Sequence, residues 1–210
     1  MLKPFLRLLV PILLSRPVRK TLGLAPPRVF GHHYAGLLSA VRARLTSTGQ
    51  VLPADVDDDD RVVMHWYTKD SFADPNLDFR ALNRLLRTGA HLNAFDLWIL
   101  AVFLNEGLLK LPVREGISYR VINDYPGFSA TYQPASIVTE RNFLSSSRNP
   151  RNPFPGNVYF TLFGHSGRFI GGMSEFLTED EILFPPQMQF KILKIDNLAD
   201  GTIHVIMQEQ

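Results

Sequence analysis

Apolar residues recur at helical spacing through the first half of the chain and at strand spacing through the second. Between His33 and Leu45 they fall at Leu37, Leu38, Val41 and Leu45, with Arg42 and Arg44 off that face, which predicts an amphipathic helix. Phe79 to Arg87 repeats the pattern. Leu82, Leu85 and Leu86 lie on one side, Arg80, Arg84 and Arg87 on the other, and Gly89 is placed to end the helix. Ala94 to Lys110 is apolar nearly all round and closed by Pro112. Asp96, Asn105 and Glu106 interrupt it, so it reads as a buried helix rather than a membrane span.

Beyond Pro112 the period changes to that of strands. Ile117 to Ile122, Ser136 to Phe143, Asn157 to Phe163, Arg168 to Met173, Glu181 to Phe184, Gln189 to Ile195 and Thr202 to Met207 all read as short strands, most of them bounded by Gly, Pro, Asn or Asp. Gly164-His165-Ser166-Gly167 reads as a hairpin turn and Asp200-Gly201 as a second turn. Helices followed by many short strands, with no helices between them, predict an α+β fold rather than a doubly wound sheet. We expect a leader, targeting or disordered segment over 1–30 and one catalytic domain over 31–210, helical to about 112 and sheet-forming from about 113.

Composition narrows the chemistry. The 210 residues are 45% hydrophobic and 20% charged, a balance that builds a core without metals or disulfides. There is no cysteine, which excludes disulfides, thiolate catalysis and cysteine zinc sites. The six histidines show no metal-ligand spacing, so no metal is expected. A net charge of +2 is too small to argue for a nucleic-acid partner. Positive charge gathers in the first twenty residues and in Arg141 to Arg151, the latter suggesting a local anion site. In the first segment the apolar run Leu8 to Leu14 is too short to span a bilayer, which needs ~20 residues. No small-x-small cleavage site follows it. Residues 1–20 therefore read as a leader, or as a stretch that contacts a membrane surface. The acidic run Asp55 to Asp60 lacks the glycine and distal glutamate of a calcium-binding loop and reads as a solvated acidic loop.

Three short patterns carry candidate chemistry. In Glu179-Asp180-Glu181, residues two apart on a strand point to one face, so both glutamates would address one cleft. Neighbouring acids raise each other's proton affinity, which separates their roles. Ser145 and Ser147 in Phe143-Leu144-Ser145-Ser146-Ser147 likewise share a face, where hydroxyls orient a ligand or a carboxylate. Arg120, following Tyr119 on the first strand, offers a planar fork suited to a phosphate pair. Taken singly, these are an acidic turn before a buried strand, a serine turn and an exposed strand position.

In this order they resemble the arginine-specific branch of the mono-ADP-ribosyltransferases, with its Arg, Ser-x-Ser and Glu-x-Glu signature. The likeness runs from Tyr67-Thr68 through Leu82-Asn83-Arg84-Leu85-Leu86-Arg87, Gly116 to Arg120, Phe143 to Ser147, Gly167 to Ile170, the single Ser174, and Glu179 to Pro186. The resemblance implies two packed antiparallel sheets forming an NAD cleft, preceded by a helical subdomain. It also implies transfer of ADP-ribose from NAD, as substrate, to an arginine, with release of nicotinamide. By resemblance, Arg120 holds the diphosphate, Ser145 binds ribose and places Glu181, Glu181 stabilises the oxocarbenium-like state, and Glu179 deprotonates the acceptor guanidinium. Ser147 joins the NAD-binding set. Val121 stands where the family usually has glycine, and Phe154 where it often has a nicotinamide-flanking aromatic. The implied partner is a target protein with an accessible arginine, with an immunity or chaperone protein as a further one. Bacterial relatives imply a secreted or cell-delivered toxin or effector. An NAD glycohydrolase and a catalytically silent binding module are the alternatives on the same fold. Gly164-His165-Ser166-Gly167-Arg168 approaches the Gly-x-Ser-x-Gly elbow of a hydrolase but fails at Arg168, and no helix is expected after it.

Overall fold

The computed structural model describes residues 15–89, 94–151 and 155–210. It comprises two compact units. One holds the described residues up to Leu111 together with Gly172–Phe176, and the other holds Pro112–Gly171 and Leu177–Gln210.

The first unit is helical: α1 Arg16–Thr21, α2 Pro26–Phe30, α3 His33–Thr48, α4 Asp58–Tyr67, α5 Phe79–Thr88 and α6 Ala94–Lys110. The left-handed Gly89 ends α5, as its place after the apolar face requires. The acidic run is not a solvated loop. Asp57 caps α4 through a reciprocal capping box with Asp60, and Asp58, Asp59 and Asp60 fill the first turn, where the helix dipole favours negative charge. The rest of α4, Val62 to Tyr67, is buried in the unit's core, packed against α3 and α6.

The segment expected to be a leader or disordered also folds from residue 16 onward, while residues 1–14 of the expected surface-binding stretch lie outside the described residues. The basic side chains of α1 meet the acids of α4 and α6. Arg16 pairs with Asp57 at 2.8 Å and Asp60 at 2.7 Å, and Lys20 with Asp57 at 2.9 Å and Asp59 at 2.6 Å. The buried Arg19 pairs with Glu106 and lies over the Phe103 ring. Opposite charge and a cation–π contact thus recruit residues that hydropathy alone leaves unassigned.

Gly107 on α6 makes room for the fully buried Asp60, which Arg16 and Lys110 neutralise. A Cβ at Gly107 would lie 2.7 Å from Asp60 Oδ1. Gly107→Ala should therefore cost about 1–3 kcal/mol by overpacking. Gly36→Ala on α3, where a Cβ meets nothing within 4 Å, should be neutral or slightly stabilising. Urea unfolding of the two variants checks the contrast; equal stabilities would refute the packing account.

The second unit contains β1 Gly116–Ile122, the short α7 Phe128–Thr131, β2 Ile137–Glu140, β3 Leu144–Ser147, β4 Val158–Gly164, β5 Arg168–Phe169, β6 Glu181–Phe184, β7 Met188–Asn197 and β8 Ile203–Glu209. The architecture is α+β. Where two antiparallel sheets were expected, hydrogen bonding is continuous through one eight-stranded sheet, ordered β2-β7-β8-β4-β1-β3-β6-β5. Among the described residues its one parallel pair is β4 with β8. The join at the centre is narrow, since β1 meets β3 at the single pair Tyr119↔Ser147 but meets β4 along its whole length. Strands from both sides of that join, including Leu144, Ile182 and Phe184 on one and Val158, Phe160, Ile192 and Val205 on the other, pack into one core.

Three local expectations are corrected. Ser136 to Phe143 is not one strand: β2 ends at Glu140 and pairs with β7, while β3 starts at Leu144 and pairs with β6. Arg168 to Met173 is extended only over Arg168–Phe169, then turns at Gly171–Met173. A Cβ at Gly171 would lie 2.7 Å from the Phe169 ring, so the turn needs glycine there. Gly164 to Gly167 is no hairpin, because β4 pairs with β1 and β8 whereas β5 pairs with β6. The carboxylate of Glu209 instead accepts from the backbone N–H groups of His165 (2.6 Å) and Ser166 (2.9 Å). Ser166 thus sits in a turn leading to a strand, without the helix a nucleophile elbow requires.

Candidate active site

The site is built where β1, β3 and β6 adjoin. Register sets Ser147 opposite Glu181 and Ser145 opposite Leu183, which brings the Ser145 hydroxyl diagonally within reach of Glu181. Ser145 Oγ donates to Glu181 Oε1 at 2.6 Å. From β1, Arg120 Nη1 donates to the backbone carbonyl of Ser145 at 2.6 Å. Arg120, Ser145 and Glu181, from three separated stretches of sequence, therefore form one connected group.

Glu181 is 4% exposed. Its second oxygen, Oε2, is buried with no hydrogen-bond partner among the described residues. Burial pushes its carboxyl up from 4.5 to about 7, against the opposing pull of the Ser145 hydroxyl and the Arg120 guanidinium. An acid held near neutrality, with one oxygen fixed and the other unsatisfied, is equipped to accept a ligand hydroxyl and to face positive charge.

Strand alternation does not place Glu179. It is the last residue of the 3-10 turn Leu177–Glu179, and the strand begins only at Glu181. Asp180 between them is in the left-handed region at φ +50°. The two acids therefore do not share a face by the period of two; a turn orients the buried Glu179.

Ser147, expected to contact a ligand, is 1% exposed. Its hydroxyl donates to the Glu179 carbonyl and accepts from Asn149 N–H at 2.9 Å, so it braces the turn. Ser146 is a packing residue whose hydroxyl lies 2.9 Å from Ser118 Oγ and 3.1 Å from the Ile182 carbonyl. Val121 is buried beside Gly156. A Cβ at Gly156 would lie 2.8 Å from Val121 Cγ1 and 2.3 Å from the Ile122 carbonyl oxygen, so the β-branched side chain fits because its neighbour has none. Phe154 lies outside the described residues. Arg148 was visible only as one of the basic cluster Arg141 to Arg151. It pairs bidentately with Asp180 at 2.9–3.2 Å, a contact across 32 positions that no local pattern signals. Among the described residues, no three His, Asp or Glu side chains group as a metal ion would need.

The sheet of this α+β fold thus joins a strand arginine, a Ser-x-Ser strand and a buried glutamate. The family model for NAD:arginine ADP-ribosyltransferases matches residues 35–210, and the chain belongs to that family. It is similar to the NAD(+)–protein-arginine ADP-ribosyltransferase Tre1 of Serratia proteamaculans, 28% identical over 193 residues, covering 89% of this chain and 41% of Tre1. It thus spans about two fifths of that relative's length. In fold it resembles the type III effector XopAI of Xanthomonas axonopodis pv. citri, with a TM-score of 0.69 at 20% identity over 85% of this chain and 77% of that one. It also resembles exoenzyme S of Pseudomonas aeruginosa, solved with human 14-3-3 protein beta and carba-NAD, with a TM-score of 0.63 at 20% identity over 84% of this chain and 88% of that one.

Proposed function

We propose that this protein cleaves NAD at the nicotinamide–ribose bond and transfers ADP-ribose to the guanidinium of an arginine on a target protein. The observation that carries the reading is Glu181, with one oxygen anchored by Ser145 and the other buried and unpartnered beside Arg120. A ribose hydroxyl of NAD is the donor that Oε2 lacks. As nicotinamide leaves with the bonding electron pair, positive charge builds on C1′ and the ring oxygen. A carboxylate already fixed in place stabilises that charge without reorganising. Arg120 binds the diphosphate, and its bond to the Ser145 carbonyl couples that grip to the ribose side of the site. Glu179 takes the proton that the guanidinium nitrogen loses on bonding to C1′, a transfer that water does poorly because the guanidinium pKa exceeds about 12.

The family and the names of the relatives support arginine as acceptor and a protein as its bearer. The type III effector among the structural relatives supports delivery into another cell, where an immunity or chaperone protein would be a further partner. Incubation with NAD and agmatine, an arginine mimic, tests the reaction. Nicotinamide and ADP-ribosyl-agmatine should appear together. Nicotinamide without the adduct would make the protein a glycohydrolase, and neither product would leave a binding module.

A further inference from the structure

The turn that carries Glu179 is tied to the end of β3 at three points. Ser147 Oγ donates to the Glu179 carbonyl, Arg148 N–H donates to the Asp180 carbonyl at 3.1 Å, and the Arg148 guanidinium grips the Asp180 carboxylate bidentately. That guanidinium also lies 4.7 Å from the centroid of the Phe169 ring on β5. Asp180 needs such a grip, because its φ of +50° is a conformation that a non-glycine residue adopts at a cost of about 1 kcal/mol. Glu181, by contrast, is held by the β3–β6 ladder and by Ser145, independently of the ion pair.

We propose that the Arg148–Asp180 ion pair is a positioning clamp that sets how ADP-ribose divides between a guanidinium and water. The proposal rests on the transferase reading above. In both outcomes the bond from C1′ to the nicotinamide nitrogen breaks and nicotinamide leaves with the bonding pair. In transfer, a guanidinium nitrogen bonds to C1′ and its proton passes to Glu179. In hydrolysis, a water oxygen bonds to C1′ and its proton passes to solvent. Only the first outcome depends on where the turn holds Glu179, since water reaches C1′ from many directions. A loosened turn therefore loses transfer and keeps cleavage. The pair is half-exposed, with side-chain exposures of 42% for Arg148 and 37% for Asp180, so its contribution to global stability is small and screened by salt.

The test measures nicotinamide and ADP-ribosyl-agmatine in parallel for wild type, Arg148→Gln, Arg148→Lys and Asp180→Asn. The adduct formed per nicotinamide should fall about tenfold in Arg148→Gln and Asp180→Asn, the order that a small misplacement of a reacting group costs. Arg148→Lys, which keeps the charge but not the two-pronged geometry, should fall between. Nicotinamide release should stay within about twofold of wild type. Raising salt from about 0.05 to about 0.5 M should lower the ratio in wild type and leave Arg148→Gln unmoved, a response that a merely structural residue would not give. A ratio equal in all four proteins and at both salt concentrations overturns the clamp alone. So does loss of both products in equal proportion. Absence of any adduct from wild type overturns the transferase reading and the clamp with it.

Discussion

Glu181→Gln is expected to reduce nicotinamide release from NAD by about a thousandfold, the scale on which removing a preorganised electrostatic group from a reaction centre acts. Glutamine preserves the size of the side chain and its bond to Ser145 but carries no charge to set against the oxocarbenium-like state. The same residue sets a pH dependence. Its carboxyl is raised from 4.5 to about 7, so kcat/KM for cleavage should climb with pH through an acid limb near 7. Ser145→Ala removes a hydrogen bond that favours the carboxylate and should move that limb upward. Stability runs the other way. Between pH 4.5 and about 7 the folded state binds more protons than the unfolded state, so stability is greatest below that window and is lost as pH rises through it. At pH 8 the buried charge costs on the order of 3 kcal/mol at most, and Glu181→Gln, which mimics the protonated acid, should then unfold at higher urea than wild type. Near pH 4.5 that advantage should vanish. A flat activity profile from pH 5 to pH 8, or a variant no more stable at pH 8, would remove the basis for assigning Glu181 a burial-tuned role.

Glu179→Gln should separate the two halves of the reaction. The adduct with agmatine should fall about a hundredfold, as loss of a general base predicts, while nicotinamide release stays within a few-fold. A guanidinium is almost never deprotonated in water, so its nitrogen becomes a nucleophile only when a base is held against it. NAD cleavage has no such requirement. Quantifying both products from one incubation decides the matter: an equal fall in the two would place Glu179 in cleavage and abolish the division of roles between the two acids.

The helices α3, α5 and α6 were legible because their apolar faces repeat at local spacing and because Gly89 and Pro112 punctuate them. α4 was not, since Asp57 to Asp60 looked like a charged surface loop. Yet Asp57-x-x-Asp60 ahead of Val62-Val63-Met64 is a helix start that capping chemistry would have flagged. α1 escaped because Arg16, Arg19 and Lys20 are held by acids 37 and more positions away. The break of Ser136 to Phe143 into two strands was equally hidden, because β2 and β3 take different partners in the sheet and pairing leaves no trace in the residues themselves.

By itself, the sequence singled out the side chains proposed to carry the chemistry. Arg120, Ser145 and Glu181 each sit in a short motif whose residue types and order are local facts. What only the tertiary structure decided is how those side chains behave. Register across β1, β3 and β6 brought Ser145 to Glu181, and burial held that carboxyl near neutrality. A turn rather than a strand oriented Glu179, and Arg148 met Asp180 across 32 positions. Periodicity is a property of neighbours in the chain. Desolvation, register and ion pairing belong to neighbours in space, and they exist only once the sheet has formed.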